Sequence, residues 1–226
     1  MKKLVVLTGS GMSAESGLKT FRDAGGLWEG YDVMQVASID GWLENPELVL
    51  DFYNERRKQL VDAKPNAGHL GLAELEKIFD VHIITQNVDN LHERAASSNV
   101  LHLHGELTKA CCTDNKKHII DIGYSEIGPG DKCPDGFRMR PDIVWFGEEV
   151  PAISKAVEIV RTADIFVVIG TSLVVYPAAG LVDYVNKDVP LYLIDPVHPG
   201  HSFNRKFTFI NENACAGVAR LMEMIS

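Results

Sequence analysis

The chain has 226 residues, 46% hydrophobic and 23% charged, which excludes disordered and fibrous classes and leaves room for one sizeable α/β domain with a small second lobe. Its net charge of −9 argues against non-specific nucleic-acid binding, which needs clustered lysine and arginine. Four cysteines at this length are no disulfide framework and suit a reducing compartment.

In chain order, "MKKLVVLTGSG" imitates a signal peptide, but its apolar run Leu4–Leu7 is too short for an h-region. It reads instead as a strand, "KLVVLTG" (3–9), running into a glycine-rich turn. Helical patterns follow over "NPELVLDFYNERRKQLVDA" (45–63) and "NAGHLGLAELEKIF" (66–79), then strands over "VHIITQN" (81–87) and, more weakly, "VLHLHG" (100–105) and "DIVWFG" (142–147). A helix over "ISKAVEIVRTA" (153–163) and strands over "DIFVVIGTS" (164–172) and "PLYLID" (190–195) complete the alternation. The longest apolar tract, 165–182, is broken by Gly170, Thr171, Ser172 and Pro177, so it reads as strand, turn and helix rather than a membrane span. The chain is expected to be soluble and cytoplasmic.

Near-continuous Val/Ile/Leu strands alternating with helices predict an α/β fold with a doubly wound, parallel, Rossmann-like sheet. Two excursions interrupt the rhythm and are expected to build a small lobe as insertions. One is helical, at about 25–64, and the other, at about 108–141, is rich in Gly, Pro, Asp and Lys. The large domain then comprises about 1–24, 65–107 and 142–226.

Gly9, Gly11 and Ala14 satisfy the G-x-G-x-x-G/A spacing directly after the first strand. Small residues there let backbone approach a pyrophosphate, and a helix N-terminus favours its charge; a tight strand-to-helix turn has the same spacing. The acidic ribose ligand of ordinary dehydrogenases is missing about 20 residues on. Tyr53 and Arg56 stand three apart on one helical face, an arrangement open to a shared pocket, though spacing alone favours a charged, solvated helix with an aromatic anchor.

"TGSGMSAESGLKTFRDAGGLW" (8–28), "TQNVDNLH" (85–92), "HLHG" (102–105), "VWFGE" (144–148) and "GTSLVVYPAAGL" (170–181) occur in one order. This set resembles the sirtuins, the NAD-dependent protein-lysine deacylases, and is most like their bacterial desuccinylase/deacetylase subclass. The resemblance covers the chain from Leu4 to about Ile225 and implies NAD as cofactor and acyl-lysine proteins or peptides as substrates, with no nucleic-acid or membrane partner. It implies that Gly9, Ser10, Gly11 and Glu15 surround the dinucleotide and that Phe21 and Arg22 lie in a cofactor-binding loop. Gln86, Asn87 and Asp89 would serve the nicotinamide ribose and carboxamide, and Gly170, Thr171 and Ser172 the adenosine side. Asp195, where the family commonly has asparagine, would meet the adenosine ribose, with Cys215 near the adenine. Val144, Phe146, Gly147 and Glu148, with Leu173–Tyr176 (Val174 and Tyr176 among them), would flank a peptide added as a strand.

His104 is the catalytic candidate, a general base aided by Asn87; His102 is its nearest rival and His92 a structural support. The Tyr53–Arg56 pair looks like that of sirtuins removing succinyl, malonyl or glutaryl groups, where arginine holds the distal carboxylate. Sirtuins usually carry a structural zinc on two C-x-x-C-like pairs, whereas here the region offers Cys111, Cys112 and a lone Cys133. No C-x-x-C spacing exists, and a mixed site completed by His118, Asp114 or Asp135 would be unusual, so no metal is expected. The products implied are lysine, nicotinamide and O-acyl-ADP-ribose. Protein ADP-ribosyl transfer and a non-catalytic NAD-binding scaffold are the alternatives, and a monomer is favoured.

Overall fold

In the computed structural model, which describes residues 1–19, 27–28, 30–114, 116–198 and 205–226, the first apolar run becomes strand β1 (Lys3–Thr8). Leu4, Val5, Val6 and Leu7 are fully buried because both faces of the strand are covered. Alternation splits them: Leu4 and Val6 join Leu72, Ile83, Val167 and Val218, while Val5 and Leu7 join Ile84, Val160, Val168 and Leu181. Burying each such side chain contributes about 1.5–3 kcal/mol, so an unbroken apolar run is what a central parallel strand requires.

After β1 come a single helical turn, α1 (Gly11–Ala14), a short hairpin of β2 (Leu27–Trp28) and β3 (Tyr31–Asp32), and helices α2 (Val33–Val36), α3 (Ile39–Glu44) and α4 (Pro46–Asp62). Local chemistry starts α4: the Asn45 side chain accepts the Leu48 N–H, and Pro46 occupies the first turn. Helix α5 (Ala67–Leu75) is capped by Asn66, whose side chain accepts the Gly68 and His69 N–H groups while His69 Nδ1 accepts the Asn66 N–H. Next are β4 (Asp80–Thr85), α6 (Leu91–Arg94), β5 (Val100–His102), β6 (Gly105–Cys112), β7 (Ile120–Asp121) and β8 (Met139–Ile143). The chain ends with α7 (Ile153–Arg161), β9 (Ile165–Ile169), a 3-10 helix (Ala178–Tyr184), β10 (Leu191–Ile194), β11 (Thr208–Ile210) and α8 (Ala214–Ile225).

Six strands pair in parallel in the order β11-β10-β9-β1-β4-β5. Helices α5 and α8 cover one face, and α7 with the 3-10 helix covers the other, which is the doubly wound α/β arrangement. Winding reverses between β1 and β9. In register, Thr8, Thr85, His102 and Ile169 share one row at the carboxyl ends of four adjacent strands. Ligands in such sheets bind just beyond this row, at the switch point.

One strand departs from the sequence reading. The Asp142–Gly147 run is only partly extended: β8 ends at Ile143 and pairs antiparallel with β6 in a separate sheet, β7-β6-β8, while Val144–Gly147 leaves as irregular chain. Gly105 makes this possible. Its φ of 81° turns the chain from β5 into β6, and a Cβ there would lie 1.9 Å from the Asp142 carbonyl oxygen. Strand β11, three residues long, is a further element that apolar periodicity did not signal. Around the small sheet a second core forms from Val49, Phe52, Tyr53, Leu107, Met139 and Trp145. Among the described residues, no helix is long and apolar enough to cross a membrane.

Candidate active site

Four segments leave the sheet at the shared row: Gly9–Gly11 after β1, Gln86–Asp89 after β4, Leu103–His104 after β5 and Gly170–Ser172 after β9. The glycines let the first and last of these interlock. Gly11 N–H donates to the Gly170 carbonyl at 2.9 Å, and a Cβ on Gly11 would lie 2.7 Å from Gly170 Cα. Beyond the row opens a cleft of about 260 Å³.

The cleft's lining brings together most of the residues expected from the sequence. Gly9, Ser10, Gly170, Thr171 and Ser172 line it, as do Gln86, Asn87, Asp89 and His104. Tyr53 and Arg56 of α4 reach the same cleft, and so do Val144, Phe146, Gly147, Glu148, Val174 and Tyr176. Gly11, Glu15, Asp195 and Cys215 do not line it. Glu15 accepts the Cys215 N–H at 2.8 Å, and buried Asp195 accepts the Val197 N–H at 2.9 Å. Phe21 and Arg22 lie outside the described residues.

His104 Nδ1 lies 3.0 Å from the Gln86 carbonyl, which only accepts, so Nδ1 carries the hydrogen and the neutral ring keeps a lone pair on Nε2. Burial lowers its pKa, opposed by that hydrogen bond, and favours the neutral form. His102, the rival, does not line the cleft. Its Nδ1 meets the Asn87 carbonyl at 2.9 Å and its Nε2 meets Glu93 at 2.8 Å, which leaves no nitrogen to act as a base. His92 is buried against Thr8 Oγ1 at 3.2 Å and edge-on to His69.

Asn87 spends both amide hydrogens on the protein, donating to the Gly9 carbonyl at 3.0 Å and to Ser13 Oγ at 3.1 Å; its amide oxygen is what it can offer a ligand. Ser13 donates in turn to Asp89 at 2.9 Å, and Asp89 also accepts the Leu91 N–H. Burial pushes the Asp89 carboxyl up, against those hydrogen bonds and the charges of His102 and Arg56. Ser13, 76 residues from Asp89, was missed in the sequence; only its place inside the glycine-rich turn could have flagged it.

Around Tyr53 the residues interlock. Burial pushes its phenol up to about 12, so it stays protonated, and its oxygen accepts the Trp145 indole N–H at 3.0 Å, leaving the phenolic hydrogen to be donated elsewhere. Arg56, 8% exposed, stacks its guanidinium 4.1 Å from the Trp28 ring centre. Glu148 is held from outside the cleft: Arg140 grips both its oxygens at 2.7 and 2.9 Å, and it accepts the Trp145 N–H. Burial alone would raise the Glu148 carboxyl, but Arg140 outweighs it and holds it below the usual range. Trp145 and Arg140 are two further residues that the sequence reading gave no role.

The cysteines sit apart from the cleft. Cys111, Cys112 and Cys133 are buried, while His118 pairs with Asp135 at 2.8 Å. Among the described residues, no three His, Cys, Asp or Glu side chains converge to hold a metal, so these groups do not fit a zinc ligand set. For NAD the residues do fit: glycine turns interlocked at the switch point, beside a buried amide and carboxylate.

The Sir2 family model matches residues 9–177. A Bacteroides thetaiotaomicron protein named NAD-dependent protein deacylase is 56% identical over 230 residues, covering 100% of this chain and 98% of that protein. A Helicobacter pylori protein of the same name is 53% identical over 222 residues, 98% of this chain and 94% of its own length. A crystal structure of a Sir2 homologue in complex with NAD aligns with a TM-score of 0.87 at 37% identity, covering 100% of this chain and 91% of that one. A Sir2 structure bound to a propionylated peptide aligns at 0.80 and 31% identity, over 98% of this chain and 92% of the other. Motifs in register, a switch-point cleft and relatives matched along nearly their whole length converge: the chain belongs to the Sir2 family.

Proposed function

We propose that this protein is an NAD-dependent protein-lysine deacylase that accepts acetyl-lysine and acidic acyl-lysines, with succinyl, malonyl or glutaryl groups held by Arg56 and Tyr53. One observation carries the reading. A single cleft holds a histidine fixed as a neutral base, a buried Asn87–Asp89 pair and a ring-stacked arginine beside a protonated tyrosine. The names of the close relatives support the deacylase part.

When bound, NAD supplies the ribose carbon that nicotinamide leaves and the acyl oxygen attacks. Asn87, with its amide hydrogens committed, offers its oxygen to the nicotinamide end, and Asp89 adds a carboxylate braced by Ser13. His104 takes a ribose hydroxyl proton at Nε2 while Nδ1 stays bonded to Gln86, so the ring does not turn as it charges. Val144–Glu148 and Leu173–Tyr176 flank the peptide, with Phe146, Val174 and Tyr176 presenting exposed apolar surface. The products are free lysine, nicotinamide and O-acyl-ADP-ribose.

The test is a panel of acetyl, succinyl, malonyl and glutaryl peptides with NAD, using wild type and His104→Ala. Nicotinamide release should accompany deacylation and fall about 10²–10⁴-fold in the variant, while NAD still binds. Label passing from NAD onto protein would favour ADP-ribosyl transfer instead. Binding of NAD without nicotinamide release on any peptide would favour a scaffold.

A further inference from the structure

Two histidines hold consecutive carbonyls of the turn after β4: His104 Nδ1 on Gln86 at 3.0 Å, and His102 Nδ1 on Asn87 at 2.9 Å. Their second nitrogens differ. The one on His102 lies 2.8 Å from a Glu93 carboxylate oxygen. A peptide carbonyl and a carboxylate both only accept, so each ring nitrogen of His102 carries a hydrogen and the ring is an imidazolium. Its side chain is 7% exposed, which shields the pair from solvent and salt.

We propose that His102 is a positioning residue for NAD: an imidazolium clamped between Glu93 and the Asn87 carbonyl, fixing the turn that presents Asn87 and Asp89 to the cleft. His102 does not line the cleft, so it acts through that turn. The surrounding charges agree. Burial disfavours the cation, but Glu93 and, more distantly, Glu106 raise its pKa. Glu106 is itself paired with Lys109 at 2.5 Å, and neighbouring His92 is held neutral by burial. The cation in turn favours ionised Asp89, whose burial works the other way.

The proposal rests on the NAD site of the reading above, and its test separates the two. In ¹⁵N spectra of the free wild-type protein, both His102 ring nitrogens should remain protonated at pH 7.5. By calorimetry, His102→Leu should weaken NAD binding about tenfold with the fold intact by circular dichroism. His102→Gln, whose amide can still donate to the Asn87 carbonyl, should stay within about threefold of wild type. If His102→Leu does not fold, Glu93→Ala decides, since it removes one arm of the clamp at a side chain 40% exposed. A neutral His102 ring, or unchanged NAD affinity in the folded variant, would overturn the proposal. Loss of the deacylase reading would look different: no acyl peptide turned over by a wild type whose His102 signals and NAD affinities behave as stated.

Discussion

Arg56 is a cation largely withdrawn from water, lying 4.1 Å from the Trp28 ring centre and, more loosely, 5.8 Å from that of Phe52. A guanidinium so placed gains most from an anionic partner that arrives in the cleft with its own water removed. A bonded carboxylate is worth about 1.5–3 kcal/mol, so Arg56→Met should lower kcat/KM on succinyl-lysine about 10–100-fold and on acetyl-lysine less than fivefold. Equal losses on both peptides would remove Arg56 from acyl selection. The Y-x-x-R spacing was legible in the sequence, but spacing alone favoured a solvated helix. What distinguishes the two is the burial of Tyr53 and its bond to Trp145, 92 residues away.

At the scale of elements, β8 and the segment after it are joined by one ion pair. Arg140 grips Glu148 with two hydrogen bonds, lies 3.5 Å over the Trp145 ring and donates to the Ile143 carbonyl. The pair holds the Val144–Glu148 wall of the cleft to the small sheet. Removing one partner of a buried pair costs about 3–5 kcal/mol; Lys116, 3.4 Å from Glu148, offsets part of that. Arg140→Met should therefore lower unfolding stability by about 2–4 kcal/mol, measured by urea denaturation, and raise the peptide KM more than the NAD KM. A stability change below about 0.5 kcal/mol, the usual range for surface substitutions, would show that the pair does not hold the wall. Periodicity found β1, β4, β9 and β10 of the parallel sheet because they are near-continuous apolar runs, and missed the three-residue β11. It misjudged β8, "MRPDI", because that strand's buried side chains include Arg140 and its partner is set by the turn at Gly105.

For the whole molecule, acid should be the weak direction. Burial lowers the pKa of His69 to about 4, and His92 beside it is lowered too. A histidine whose folded pKa lies below its unfolded value of about 6.5 binds more protons when unfolded. Its stabilisation is complete above that value and declines as pH falls towards 4. For His69 alone the loss between pH 7 and pH 5 is about 2 kcal/mol. Urea midpoints at the two pH values would measure it, and a His69→Gln variant with the same pH slope would assign the loss elsewhere. Metal should matter little: purified protein is expected to hold far less than stoichiometric zinc and to keep its circular dichroism in chelator. The buried, free Cys112 and Cys133 and the His118–Asp135 pair sit where the family resemblance expects zinc.

The sequence by itself determined what is local. Apolar runs specify buried strands, Asn45 and Asn66 start helices, and the glycine spacing after β1 permits the tight turn that meets Gly170. These features depend on residues within a turn or two of each other, so their chemistry is visible in order of sequence. Only the tertiary structure decided the protonation of the two histidines in "HLHG" and the roles of Ser13, Trp145 and Arg140. Their partners come from other elements, and a ring nitrogen's state is set by whether the atom opposite it donates or accepts. His104 is left with a lone pair and His102 with none because Glu93, nine residues before His102 in the chain, folds back against it.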